Sequence, residues 1–110
     1  METLKVDRLK LKSRIFTGLS DLSRLQILQC LSEQPMNVSQ IVELTGLGQP
    51  NVSSHLRSLK DCNIVKAQRV GREVYYQLSS IIISQLLHVA GDLVDEIYEE
   101  ISSCLRKNIS

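Results

Sequence analysis

Apolar residues recur along this chain with a helical period for most of its length and with a strand period in one short stretch. Over residues 4 to about 16 they fall among basic ones, at Leu4, Leu11 and Ile15, which predicts an amphipathic helix ending near Gly18. In the next run, LSDLSRLQILQCLSEQP, Asp21 offers a carboxylate to the free N–H groups of a helix start. Leu25, Ile27, Leu28 and Leu31 form that helix's apolar face, and Pro35 closes it. In NVSQIVELTG, Asn37 and Gln40 have capping-box spacing, Ile41 and Leu44 are expected to point inward, and Gly46 stands beyond the last turn. Pro50 suits the first turn of a fourth helix, where its missing N–H is harmless. Val52, Leu56 and Leu59 then stand at i, i+4 and i+7 as one buried stripe. A short glycine turn over residues 46–48 joins these two helices, the shape of a helix-turn-helix.

The period then changes. Residues 64–69 and 73–78 are β-rich runs flanking Val70, Gly71 and Arg72, so a β-hairpin with a basic tip is predicted. After it, Leu86, Ala90, Leu93 and Ile97 are spaced 4, 3 and 4, with Cys104 seven further on. This is a long helix with a near-heptad seam. Its other apolar residues (Ile81, Ile82, Ile83, Leu87, Val94 and Ile101) exceed what one small domain covers, so a partner chain is expected, packing on its own core being the alternative. The order α-α-α-α-β-β-α is a mainly helical winged helix-turn-helix with a β-hairpin wing, expected to be homodimeric.

Composition narrows the picture. The 110 residues suit one domain spanning 1–110, and with no Trp its core falls to Leu, Ile and Val. Glu2, Lys5, Asp7 and Arg8 are not the start of a signal peptide, and no window reaches the roughly 18 apolar residues of a spanning helix. Three cysteines without a CxxC pair do not form a disulfide framework, so a cytoplasmic protein with reduced thiols is expected. Net charge is only +1, but its distribution is uneven. Arg57, Lys60, Lys66, Arg69 and Arg72 cluster, with Asp61 and Glu73 opposing them. Lys5, Arg8, Lys10, Lys12 and Arg14 form a second basic run, and Asp92, Asp95, Glu96, Glu99 and Glu100 make the last helix acidic.

An enzyme is not indicated: two histidines, no Ser/His/Asp arrangement and no phosphate-binding glycine loop leave nothing to carry catalysis. The fourth helix is better explained by DNA. With its stripe buried, Gln49, Asn51, Ser53, Ser54, His55 and Arg57 cover the remaining arc, and such side chains pair with base edges in a major groove. Lys66, Arg69 and Arg72 would bind phosphates or reach a minor groove.

In that order and spacing, LSDLSRLQILQCL, LGQPNVSSHLRSLKDCNIV and GREVYYQLS resemble the ArsR/SmtB family of bacterial metal- and stress-responsive repressors, over nearly the whole chain. The resemblance implies a homodimer held by its first and last helices, bound to a palindromic double-stranded operator and released by an inducer. It also implies where an inducer site could lie. The thiolate site of some members begins the third helix with Cys-x-Cys, but here Asn37, Val38 and Ser39 stand there. The zinc site of others falls on Ser80, Ile82, Leu93 and Glu96, of which only Glu96 could bind metal; His88 on the same helix is read as a packed or surface residue. A cadmium- and lead-sensing subgroup has cysteines matching Ser58, Cys62 and one residue before Cys104. Cys62 and Cys104 are therefore the candidate ligands for Cd, Pb, As(III) or Cu(I), within a subunit or across the dimer. A persulfide- or oxidant-sensing subgroup would instead use a cysteine pair from the second and last helices, and Cys30 lies about one residue, Cys104 about nine, beyond those positions. Each thiol also has a purely structural reading, Cys30 as a small buried hydrophobe. The alternatives are thus a redox- or persulfide-responsive repressor, or a winged-helix protein-binding module without effector sensing.

Overall fold

The computed structural model describes residues 7–109, so the expected role of Leu4 and Lys5 lies outside the described residues. The helices are α1 (Arg8–Leu19), α2 (Leu22–Glu33), α3 (Val38–Thr45), α4 (Gln49–Asp61) and α5 (Ile81–Ile109), and strands β1 (Val65–Val70) and β2 (Glu73–Leu78) lie between α4 and α5. Two compact units divide at the start of α5.

In the first unit, local chemistry sets nearly every boundary. The Asp7 carboxylate accepts from the N–H groups of Leu9 and Lys10, so α1 begins at Arg8. It runs past Gly18 to Leu19. A Cβ at Gly18 would come within 2.5 Å of Ile64 Cδ1, so the glycine permits the close approach of α1 to Ile64. Asp21 caps α2 by accepting from the Arg24 N–H at 3.1 Å. Asn37 and Gln40 form the reciprocal capping box of α3, and Gly46 ends it with φ of 75°. Such left-handed backbone is where glycine is least strained.

The core gathers Ile27, Leu28 and Leu31 of α2, Ile41 of α3, Val52, Leu56 and Leu59 of α4, and Ile64 and Val65. Leu44 departs from expectation: it is 64% exposed. The arc of α3 turned inward runs through Val38, Ile41, Val42 and Thr45, and at 100° per residue Leu44 lies roughly 110° from its centre.

The end of α4 is a Schellman motif. Asn63 N–H donates to the Lys60 carbonyl and Ile64 N–H to the Leu59 carbonyl, while Asn63 takes φ of 61°. Buried Ile64 and Leu59 supply the hydrophobic contact that accompanies this arrangement. The motif fixes Cys62 as the residue where the helix stops.

Strands β1 and β2 pair antiparallel, from Val65 opposite Leu78 to Val70 opposite Glu73. Gly71 and Arg72 form the two-residue turn, with Gly71 at φ of 66° as a type II′ hairpin requires. Met36, between α2 and α3, exchanges two backbone hydrogen bonds with Tyr76 and so ties the wing to the helical core. The Asn37 amide, which also caps α3, donates to the Glu73 carboxylate.

The second unit is α5 alone, 29 residues or about 43 Å of helix. Its Leu93 and Ile97, on the predicted seam, are 55% and 47% exposed in the single chain. Arg106 and Lys107 in its last turn complement the negative end of the helix dipole. No helix among the described residues is long and apolar enough to cross a membrane.

Candidate nucleic-acid interface

Helix α4 presents polar side chains to solvent. Val52, Leu56 and Leu59 are fully buried, which identifies the face of α4 that meets the core. At 100° per residue, Ser54 and Arg57 then lie roughly 190° and 130° from the stripe's centre, facing away from the core. Gln49, Asn51, Ser54 and Arg57 are exposed; Ser53 is half-buried.

His55 has a different setting. It lies only about 70° from the stripe, at the seam between α4 and α2. Both ring nitrogens face α2: Arg24 Nε donates to His55 Nδ1 at 3.2 Å, and His55 Nε2 stands 3.6 Å from Asp21 Oδ2. Arg24 Nη2 donates to Ser58 Oγ at 2.8 Å. This intramolecular engagement turns His55 toward α2, unlike the exposed side chains expected with it on the DNA-reading surface. It also turns Ser58, which matches a cysteine position of the cadmium- and lead-sensing subgroup, toward a guanidinium.

Sequence reasoning treated Asp21 as a cap alone and passed over Arg24. A signal was there: Arg24 is a cation in the first turn of α2, where the helix dipole disfavours positive charge, so its position had no local explanation.

The wing's cations are all exposed, but they do not form one surface. Successive side chains of a strand alternate between faces, so Lys66 shares a face with Gln68 and Val70, whereas Arg69 lies on the other with Ala67. Lys66 is also three residues, about 10 Å, from Arg69 along the strand. Arg69 and Arg72 are the cations near the tip.

The three thiols are all free. Cys30 is half-buried in α2, and burial pushes its thiol pKa up. Cys62 is half-buried at the end of α4, with its N–H donating to the Ser58 carbonyl at 3.1 Å. Cys104 is exposed on α5. Among the described residues, no three His, Cys, Asp or Glu side chains gather to hold a metal ion.

Residues 21–67, from the α2 cap to the middle of β1, match the model of the "Bacterial regulatory protein, arsR family". A protein of Streptomyces lividans named "Probable mercury resistance operon repressor" is 32% identical over 94 residues, covering 86% of this chain and 75% of that protein. The arsenical resistance operon repressor of Staphylococcus aureus is 35% identical over 75 residues, covering 68% and 72%. Among solved structures, the homodimeric winged helix-turn-helix DNA-binding domain Mb0332 from Mycobacterium bovis superposes with a TM-score of 0.78. It is 28% identical, with 90% of this chain and 95% of that one covered. A regulator's fold, a polar helix mounted on a buried stripe and relatives matched over most of their length agree: the chain belongs to the arsR family of bacterial regulatory proteins.

Proposed function

We propose that this protein is a homodimeric transcriptional repressor that grips a palindromic operator with α4 and the wing and releases it on binding a soft metal or metalloid ion. The observation that carries the reading is the outward arc of Asn51, Ser54 and Arg57, with Gln49 exposed in the first turn, on a helix whose opposite side is fully buried. Asn and Gln can pair bidentately with adenine and Arg with guanine, and Ser can pair with either. Ser53, half-buried, contributes at the margin of that surface. Arg69 and Arg72 at the wing tip, and Lys66 from the opposite face, supply phosphate contacts that favour DNA without selecting its sequence. The exposed seam of α5 supports a second copy as its partner, as in the homodimeric domain to which the chain is similar.

For the inducer, Cys62 and Cys104 are the proposed ligands. A thiolate pair suits an ion content with two soft donors, whereas a trigonal site would need a third ligand. The mercury and arsenical resistance repressors among the relatives support soft ions as the class. Burial raises the pKa of the Cys30 thiol, which works against its acting as a thiolate.

The test is fluorescence anisotropy of a promoter duplex bound to the protein, titrated with Hg(II), Cd(II), Pb(II), As(III), Cu(I), Zn(II) and a persulfide donor. Release by a thiophilic ion, lost on replacing Cys62 or Cys104, is the expected result. Release by persulfide alone, dependent on Cys30, would replace the metal reading. Failure to bind any duplex would return the chain to the protein-binding class.

A further inference from the structure

The α2–α4 contact combines two kinds of force. Val52, Leu56 and Leu59 attach α4 through aliphatic packing, which is strong but non-directional. Such a contact tolerates small slides and rolls of one helix on another. The polar cluster on its flank does not. Arg24 sends Nε to His55 and Nη2 to Ser58, residues three apart and thus on successive turns of one side of α4. Because the guanidinium is planar and its N–H groups diverge in a fixed fork, two such bonds define both the roll of α4 and its position along its axis. Asp21 completes the arrangement from below. One of its oxygens accepts from the Arg24 backbone N–H while facing His55 Nε2, which links the start of α2 to the ring that Arg24 engages.

We infer that Arg24, acting through His55 and Ser58, is a positioning residue that holds the DNA-reading helix in register. The inference rests on the repressor reading above. The geometry excludes an ordinary phosphate contact as the main role: Arg24 is half-buried, and its two donating nitrogens are directed onto α4. It also gives His55 a specific protonation pattern. Since Arg24 Nε–H donates to Nδ1, that nitrogen carries no proton, and the ring is the tautomer with hydrogen on Nε2, toward Asp21. A base-reading arc such as Ser54 and Arg57 requires placement within roughly 0.5 Å and 10–20°, which a fork bond enforces and aliphatic packing does not. The latch therefore acts on sequence discrimination rather than on general affinity for DNA.

The experiment selects a duplex from a random library on the wild-type protein. Affinity for this duplex and for a scrambled one is then measured, across salt concentrations, for wild type, Arg24→Lys, Arg24→Gln and Ser58→Ala, with melting curves for each. Arg24→Lys keeps the charge and loses the fork. It is expected to lower the preference for the selected duplex about tenfold or more, as the loss of one or more base contacts would, with the salt slope unchanged. Ser58→Ala removes one of the two bonds without disturbing helix propensity and should cause a smaller loss at unchanged melting temperature. Nitrogen NMR of the imidazoles, in a His88→Gln background that leaves one histidine, should show Nδ1 unprotonated in the Arg24 protein and a tautomer mixture in Arg24→Lys. Rescue by lysine, or a salt slope reduced by about one in Arg24→Gln, would make Arg24 a phosphate contact and overturn the inference. A His55 ring that averages its tautomers in the Arg24 protein would overturn it as well. A wild-type protein that selects no duplex would remove the repressor reading itself, whereas intact preference in all variants would remove the latch alone.

Discussion

Helices α4 and α5 carry apolar stripes of the same helical spacing, yet their exposure differs sharply. Val52, Leu56 and Leu59 of α4 have no exposed surface, while Leu93 and Ile97 of α5 keep about half of theirs. Both stripes are equally clear in the sequence. The stripe of α4 is satisfied within its own unit, and its polar side is thereby free to face DNA. The stripe of α5 is surplus in a single chain, the condition that favours pairing with a second copy. A periodic stripe therefore identifies a surface to be covered without identifying what covers it.

That contrast can be broken most severely at the centre of α4. Leu56→Ala should cost about 3–5 kcal/mol of stability by leaving a cavity in the core, measured by urea denaturation. A loss below about 1 kcal/mol would mean that the site collapses around the smaller side chain and that α4 is less firmly seated than its burial indicates. On α5 the corresponding change is Leu93→Glu. It should leave the fold intact and abolish dimerisation, because an unpaired carboxylate at a covered seam costs several kcal/mol. Sedimentation showing an unchanged dimer would remove the seam from the interface.

Smaller effects separate the two faces of α4. Arg57→Ala and Ser54→Ala should each reduce the preference for operator over scrambled DNA by about 1–3 kcal/mol, read by competition binding. Arg72→Ala on the wing should weaken both kinds of binding alike and lower the salt slope by about one. If Arg72 changed sequence preference while the α4 substitutions did not, reader and clamp would be exchanged.

The thiols test whether both helices serve the inducer. Cys62→Ser and Cys104→Ser should retain operator binding and lose release by the inducing ion, whereas Cys30→Ser should retain both. The coupling at stake is about 1–3 kcal/mol, a change in operator affinity of about 5–150-fold, measurable by anisotropy with and without ion. The smallest expected effect is local to the end of α4. Asn63→Ala, placing a β-carbon without a helping amide at φ of 61°, should cost about 1 kcal/mol in thermal or urea unfolding. Asn63→Gly should cost nothing there.

Much of this molecule was legible before folding because much of it is local. The Asp21 cap, the Asn37–Gln40 box, the Gly46 stop, Pro50 in the first turn of α4 and the glycine of the hairpin each act over four residues or fewer. The stripe of α4 was legible for a related reason: repetition at 3.6 residues per turn marks a face, and the exposed positions of Asn51, Ser54 and Arg57 followed from it, whereas Gln49 lies on the side of the stripe and is exposed in the first turn. Leu44 shows the limit of the same reasoning, since a helix of eight residues has too few turns to define its buried arc from composition alone.

What the sequence determined by itself, then, was where elements start and stop, which faces are apolar, and the family-like order of helix, turn, helix and wing. The tertiary structure alone decided which side chains far apart in the chain would meet. Arg24 reaches His55 and Ser58 across 31 and 34 residues, and Met36 joins the wing through Tyr76. No local preference encodes these contacts, and one of them places a cation where its own helix disfavours it. They exist because packing the buried stripe of α4 brings the start of α2 to its flank, where polar groups half-removed from water must find partners in one another.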